Sequence, residues 1–92
     1  MVDSKGYQGT DFKYEVVHSI GEVCRKRNGE KIEANLISYN GSRPKLDIRN
    51  WSVDSGRMLK GVTMTLEQGR ELQRLLDTFY REVDDGSLIG LI

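Results

Sequence analysis

Lys45-Leu46-Asp47-Ile48-Arg49-Asn50-Trp51 alternates strictly, and this stretch constrains the fold more than any other in the chain. Successive side chains of an extended strand point to opposite sides. Leu46 and Ile48 therefore share one face, and Lys45, Asp47, Arg49 and Trp51 share the other. The polar face ends in the only tryptophan of the protein. Two readings of Trp51 follow. An indole exposed among cations suits a ligand that is flat and anionic, and single-stranded nucleic acid offers bases to stack and phosphates to pair. Alternatively, Trp51 tucks under a loop or helix at the strand end.

The segments around this stretch read as three further strands and one helix. Residues 1–11 carry Gly, Ser, Gln and Asp without apolar periodicity, and are expected to form a flexible arm. Phe12 to Arg27 is an extended run with Phe12, Tyr14, Val16, His18 and Ile20 on one face and a bulge or bend at Gly21. Asn28-Gly29 predicts a type I′ hairpin turn, because both central residues of that turn need positive φ. Glu30 to Tyr39 returns with Ile32, Ala34 and Leu36 on one face, and Lys31, Glu33, Asn35, Ile37 and Tyr39 on the other. Asn40-Gly41 repeats the turn signal, and Pro44, which has no N–H to donate, suits the start of the next strand. Asp54-Ser55-Gly56 reads as a turn, and Met58 to Met64 as a fourth strand with Gly61 at a bulge or close backbone approach.

The period changes at Thr65. Leu66, Gly69, Leu72, Leu75, Leu76, Phe79 and Val83 recur at helical spacing. Thr65 and Gln68 form the sequence signature of a capping box, and Asp84-Asp85-Gly86 ends the helix. Gly69 on the apolar stripe predicts a close contact there. The fold class expected is α+β, a curved four-stranded antiparallel meander followed by one C-terminal amphipathic helix. Residues 12–83 form the domain and residues 84–92 an apolar tail that docks on another surface. With 92 residues the core is small, and oligomerisation is a common remedy. The Leu72/Leu75/Leu76/Phe79 stripe is the expected interface of a homodimer.

Charge is unevenly placed although the formal net is zero. Residues 13–61 hold ten Lys/Arg against six Asp/Glu, and residues 62–92 hold three Arg against six Asp/Glu. A basic sheet beside an acidic helix results. No apolar run approaches the ~20 residues of a membrane helix. Met-Val-Asp-Ser-Lys-Gly lacks the apolar core of a signal peptide, and a single cysteine suits a reducing compartment. A cytoplasmic protein, free or nucleoid-associated, is the expectation.

The order of these motifs resembles the positive-cofactor-four family of transcriptional coactivators, in particular its compact bacterial branch, the YdbC type. The likeness rests on Pro44 to Trp51 followed by Lys60-Gly61-Val62-Thr63-Met64-Thr65-Leu66-Glu67, and spans roughly residues 12–83. It implies a homodimer whose helices pack across a two-fold axis. It also implies single-stranded DNA bound on the sheet, largely without sequence preference, in transcription, replication or repair. By position, Arg49 matches the motif arginine, Trp51 the terminal aromatic, Tyr39 the aromatic ending the second strand and Lys60 the lysine before the motif glycine. Arg25, Arg27, Lys31, Asn35, Arg43 and Lys45 complete the expected nucleic-acid-binding set. The chain departs from the eukaryotic pattern in having Asn50 before a single aromatic and no serine-rich regulatory region, which puts a coactivator role in doubt.

Other chemistry is poorly supported by the residues. His18 and Cys24 cannot complete a tetrahedral metal site, and no motif sets a base beside the thiol. Asp47, between Lys45 and Arg49, reads as an ion partner that orients the arginine. No catalytic residue, metal or cofactor is expected, and the chain is not expected to be an enzyme. The partners expected are single-stranded DNA, with RNA a second candidate, and a second copy of the chain; no membrane or small-molecule substrate is expected. The competing reading is a protein-interaction adaptor using the same basic sheet.

Overall fold

A computed structural model describes residues 13–54 and 56–91. The expected arm and Phe12 lie outside them. The described chain runs β1 (Tyr14–Arg25), β2 (Lys31–Tyr39), β3 (Lys45–Trp51), β4 (Met58–Met64) and α1 (Leu66–Asp84). The strands pair antiparallel in sequence order to make one open, curved sheet, the meander the alternating runs predict.

β1 departs from the expected alternation. Its register against β2 jumps between Val16 and His18, between Ser19 and Gly21, and between Glu22 and Cys24. Val17, Ile20 and Val23 are the extra residues, and each bulge sharpens the local twist. The face expected to hold Tyr14, Val16, His18 and Ile20 together is therefore split. Val16 lies opposite Ile37, whereas His18 lies opposite Leu36 on the other side of the sheet. As an edge strand, β1 is also a poor template for a further strand, because repeated bulges disrupt its outward hydrogen-bonding row.

The two Asn-Gly turns differ. At the first, Gly29 N–H donates to the Lys26 carbonyl at 3.0 Å and Lys26 N–H to the Glu30 carbonyl at 2.6 Å. Gly29 has φ 95°, but Asn28 is not in the positive-φ region. This is a type I turn closed by a glycine bulge rather than the expected type I′ turn. The Asn28 side chain instead accepts from Glu30 N–H at 3.0 Å. At the second, Asn40 and Gly41 have φ 51° and 75°, the pair that a type I′ turn requires.

Two other glycines admit close approaches. A Cβ at Gly61 would overlap that of Arg49 and lie 2.8 Å from the Ile48 carbonyl oxygen. The β3–β4 register shifts just beyond this point. A Cβ at Gly69 would lie 2.6 Å from Leu46 Cδ2, the contact that fixes α1 to the sheet. Thr65 caps the helix as expected: its hydroxyl accepts from Gln68 N–H at 3.0 Å and its own N–H donates to Gln68 Oε1 at 2.9 Å. At the far end Gly86 N–H reaches the Val83 carbonyl and Ser87 N–H the Glu82 carbonyl, a Schellman stop.

Helix and core lie on opposite sides of the sheet. Leu46, Ile48, Ile32, Ala34 and Leu36 share the face that α1 touches, and they are only half-buried. The four most buried residues, Asn35, Ile37, Asp47 and Trp51, share the other face. The sheet coils about that face. Tyr14 pairs with Tyr39 and Trp51 with Lys31, at opposite ends of β2, yet the Tyr14 and Trp51 rings come within 6.0 Å. Ile89 and Leu91 in the tail are 82% and 81% exposed, so the tail expected to dock has no cover within the described residues. Among the described residues no helix is long and apolar enough to cross a membrane.

Candidate nucleic-acid interface

β2, β3 and β4 bring Tyr39, Asp47, Arg49 and Thr63 together on the concave face. Asn35 and Asp47 lie opposite each other, as do Asp47 and Thr63, so the carboxylate sits between an amide-bearing and a hydroxyl-bearing neighbour. Arg49 Nε and Nη2 donate to the two Asp47 oxygens, both at 2.7 Å, in a bidentate pair. Nη1 donates to the Leu59 carbonyl at 2.8 Å, and Nη2 also reaches the Tyr39 hydroxyl at 3.1 Å. Tyr39 and Thr63 hydroxyls both donate to Asp47 Oδ2. Burial pushes the Asp47 carboxyl up, but the hydrogen bonds from Arg49, Tyr39 and Thr63 outweigh it and hold it below the ordinary carboxylate range. Burial, with the bond to Asp47, pushes the Tyr39 phenol up.

This network occupies the Arg49 guanidinium, expected at a nucleic-acid interface, with partners from the sheet itself. Asp47 is the ion partner the sequence suggests; it is buried, Arg49 is half-buried, and the guanidinium braces three strands. The Tyr39 hydroxyl is engaged in the same cluster. Asn35 is likewise interior and donates to Glu33 Oε1 at 3.3 Å. Trp51 is 6% exposed, so of the two readings of its position the buried one holds. Its cover is the Tyr14 ring, brought over by the coiling of the sheet.

The other expected residues divide by whether they have an acidic partner. Arg25 pairs with Glu22 at 2.9 Å and Lys31 with Glu33 at 2.7 Å. Arg27, Arg43, Lys45 and Lys60 are exposed and, among the described residues, carry no ion pair. Arg27 sits at the β1–β2 turn, Arg43 and Lys45 at the β2–β3 turn, and Lys60 on β4.

A groove of about 380 Å³ lies on the helix-side face, beyond the end that α1 covers. Ile32, Ile48 and Leu59 line it, and Lys26 and Lys60 flank it. Asn50 also lines it, and its Nδ2 donates to Glu30 Oε1 at 2.6 Å. That bond, the largest influence, holds the Glu30 carboxyl below its ordinary range. Sequence reasoning passed over Lys26, Glu30 and Asn50 as a set, since they come from separate segments. The signal available was register: Ile32 lies opposite Asn50.

His18 and Cys24 lie opposite Leu36 and Ile32, about 13 Å apart at the usual strand rise. Among the described residues no three His, Cys, Asp or Glu converge as metal ligands.

An uncharacterized protein of Treponema pallidum (strain Nichols) is 41% identical over 73 residues, covering 79% of this chain and 86% of that protein. Residues 26–75 match the family described as Transcriptional Coactivator p15 (PC4). That span takes in β2, β3, β4, the buried Asp47–Arg49 pair and the first half of α1. The chain belongs to the transcriptional coactivator p15 (PC4) family, a family of nucleic-acid-binding proteins.

Proposed function

We propose that this protein binds single-stranded DNA, largely without regard to sequence, and catalyses no reaction. The observation that carries the reading is that four exposed cations of the sheet and its turns, Arg27, Arg43, Lys45 and Lys60, have no acidic partner among the described residues, in a chain of a nucleic-acid-binding family. These side chains ring a curved sheet, so a strand that bends can meet several of them. A duplex keeps its bases stacked internally and is too stiff to follow such a surface. The cations act on phosphates, which every sequence offers equally.

Affinity for a single strand falls as salt rises, by about 0.7 log units per neutralised phosphate for each log unit of salt. With the four cations each meeting one phosphate, the slope per subunit is roughly −3 by the same relation. Anisotropy titrations of single-stranded and duplex oligonucleotides at several salt concentrations measure both quantities. Salt-independent binding, or equal affinity for duplex, contradicts the proposal. An adaptor that binds only proteins through the same sheet would show neither affinity.

We also propose a homodimer formed through α1. Leu75, Leu76 and Phe79 are exposed on the isolated chain, and no residue of the helix is fully buried. An apolar helix stripe of this kind is normally covered. Sedimentation at micromolar concentration is expected to give a dimer, and Leu76→Asp a monomer. A wild-type monomer at that concentration refutes this arrangement.

A further inference from the structure

We propose that the groove between Lys26 and Lys60 holds the apolar tail of a second copy of the chain, which competes there with a bound strand for Lys60. The docking rests on the α1 dimer above, and the competition on the single-strand reading.

Both halves of this contact lack cover in the subunit itself. Ile32, Ile48 and Leu59 form an apolar lining between two lysines, and no described residue of α1 or of the tail closes it. In the tail, Ile89 and Leu91 stand almost wholly in solvent. Apolar groups left open on a chain with so small a core are normally covered by a partner.

Charge selects the tail as the occupant. Asp84-Asp85 runs directly into Gly86-Ser87-Leu88-Ile89-Gly90-Leu91, so two carboxylates precede the apolar residues. The groove offers the complement. Lys60 is exposed and has no ion pair among the described residues, and Lys26 is held by Glu30 only at 3.9 Å. The Ser87 hydroxyl and N–H both donate to Asp85 Oδ1 and hold that carboxyl below its ordinary range, so it stays charged.

The helix delivers the tail to the right face. α1 joins the sheet where Gly69 meets Leu46, and its 19 residues extend ~28 Å at 1.5 Å each. Leu72, Leu75, Leu76 and Phe79 are centred on that length. Two such helices crossing antiparallel at the stripe, about a two-fold axis, set the end of each beside the start of the other. The partner's tail then emerges near Leu46, on the helix-side face. Ile48, which lines the groove, is the next residue of β3 on that face, ~7 Å further along. Asp85 to Leu91 are enough residues to cover that interval.

Cross-linking between two differently substituted full-length chains tests this. Cys24→Ser removes the native thiol from both. One chain then carries Leu59→Cys in the groove, the other Ile89→Cys in the tail. Mixed and oxidised with glutathione disulfide, they are expected to give mainly the mixed disulfide, since a bridge needs Cα atoms within ~7 Å. Lys60→Glu in the groove chain is expected to lower its yield severalfold, and Asp84→Lys with Asp85→Lys in the tail chain to restore it. Saturating oligo-dT is expected to suppress it. No mixed disulfide in a mixture that sediments as dimers overturns the docking, as does a yield indifferent to Lys60→Glu. A strand that shields Leu59→Cys from a thiol reagent where no mixed disulfide forms makes the strand the occupant, and overturns it likewise. Monomers overturn the dimer and the docking together. Bound oligo-dT, seen by anisotropy, that leaves the yield unchanged overturns the competition alone. Oligo-dT that never binds removes the single-strand reading and the competition, while the docking stands on its own yield.

Discussion

Replacing Arg49 by alanine is expected to remove about 3–5 kcal/mol of folding stability, the usual cost of breaking one side of a buried ion pair. The Arg49 side chain is 14% exposed and that of Asp47 0% exposed, so the abandoned carboxylate is left in the interior without its cation. The variant loses the bidentate pair and the bond to the Leu59 carbonyl that ties β3 to β4. Against the ~5–15 kcal/mol of a whole domain, this leaves a marginal fold or none. Urea unfolding of the two proteins measures the difference. A loss below about 1 kcal/mol would mean that Arg49 is held at the surface and is free for phosphate, since exposed pairs contribute only that much.

Acid gives a second reading of the same pair. In wild type the folded-state pKa of Asp47 is depressed. Its contribution is therefore full above the ordinary carboxylate range and is lost as pH falls through the folded value. In Arg49→Ala the buried carboxylate has lost its cation, and burial raises its pKa. Protonation then relieves the folded state, so that variant gains relative stability as pH falls. The stability gap between the two proteins is expected to narrow in acid. A gap independent of pH would exclude an uncompensated Asp47 charge as its cause.

Most of the architecture was legible because β2, β3 and α1 obey single periods and β4 breaks its own only once, between Met58 and Gly61. The i,i+2 placement of Asp47 and Arg49 on one strand already put the carboxylate beside the guanidinium. β1 was less legible because three bulges let its residues change faces without any change in composition. Alternation also separates two faces without saying toward which one a sheet coils. Lys45, Asp47, Arg49 and Trp51 read as a solvent face, and the coil made that face the interior. Its polar groups tolerate this because Tyr39, Thr63 and Arg49 meet the Asp47 carboxylate. The partners come from three strands, and single-strand patterning carries no such information. The groove at Asn50 depends in the same way on Glu30 and Lys26, which the β1–β2 turn delivers from another part of the chain.

Trp51→Ala is expected to destabilise the fold by about 3–5 kcal/mol, as for a large aromatic deleted from a core. Trp51 has little exposed surface and contacts the Tyr14 ring from across the coiled sheet, so its removal opens a cavity where opposite corners of the sheet meet. Trp51→Phe keeps most of the ring contact. It also removes an indole N–H that is buried without a partner among the described residues. Its loss is therefore expected to be well under that of alanine, because deleting an unpaired buried donor offsets part of the lost packing. Fluorescence separates this role from stacking on DNA. With the indole enclosed, oligo-dT is expected to leave Trp51 emission nearly unchanged even when anisotropy of a labelled strand reports full binding. Strong quenching at saturation, together with a stably folded Trp51→Ala that has lost ~1–3 kcal/mol of affinity, would instead make Trp51 a stacking platform. That result would require the Tyr14 corner of the sheet to open on binding, since a base cannot otherwise reach the indole.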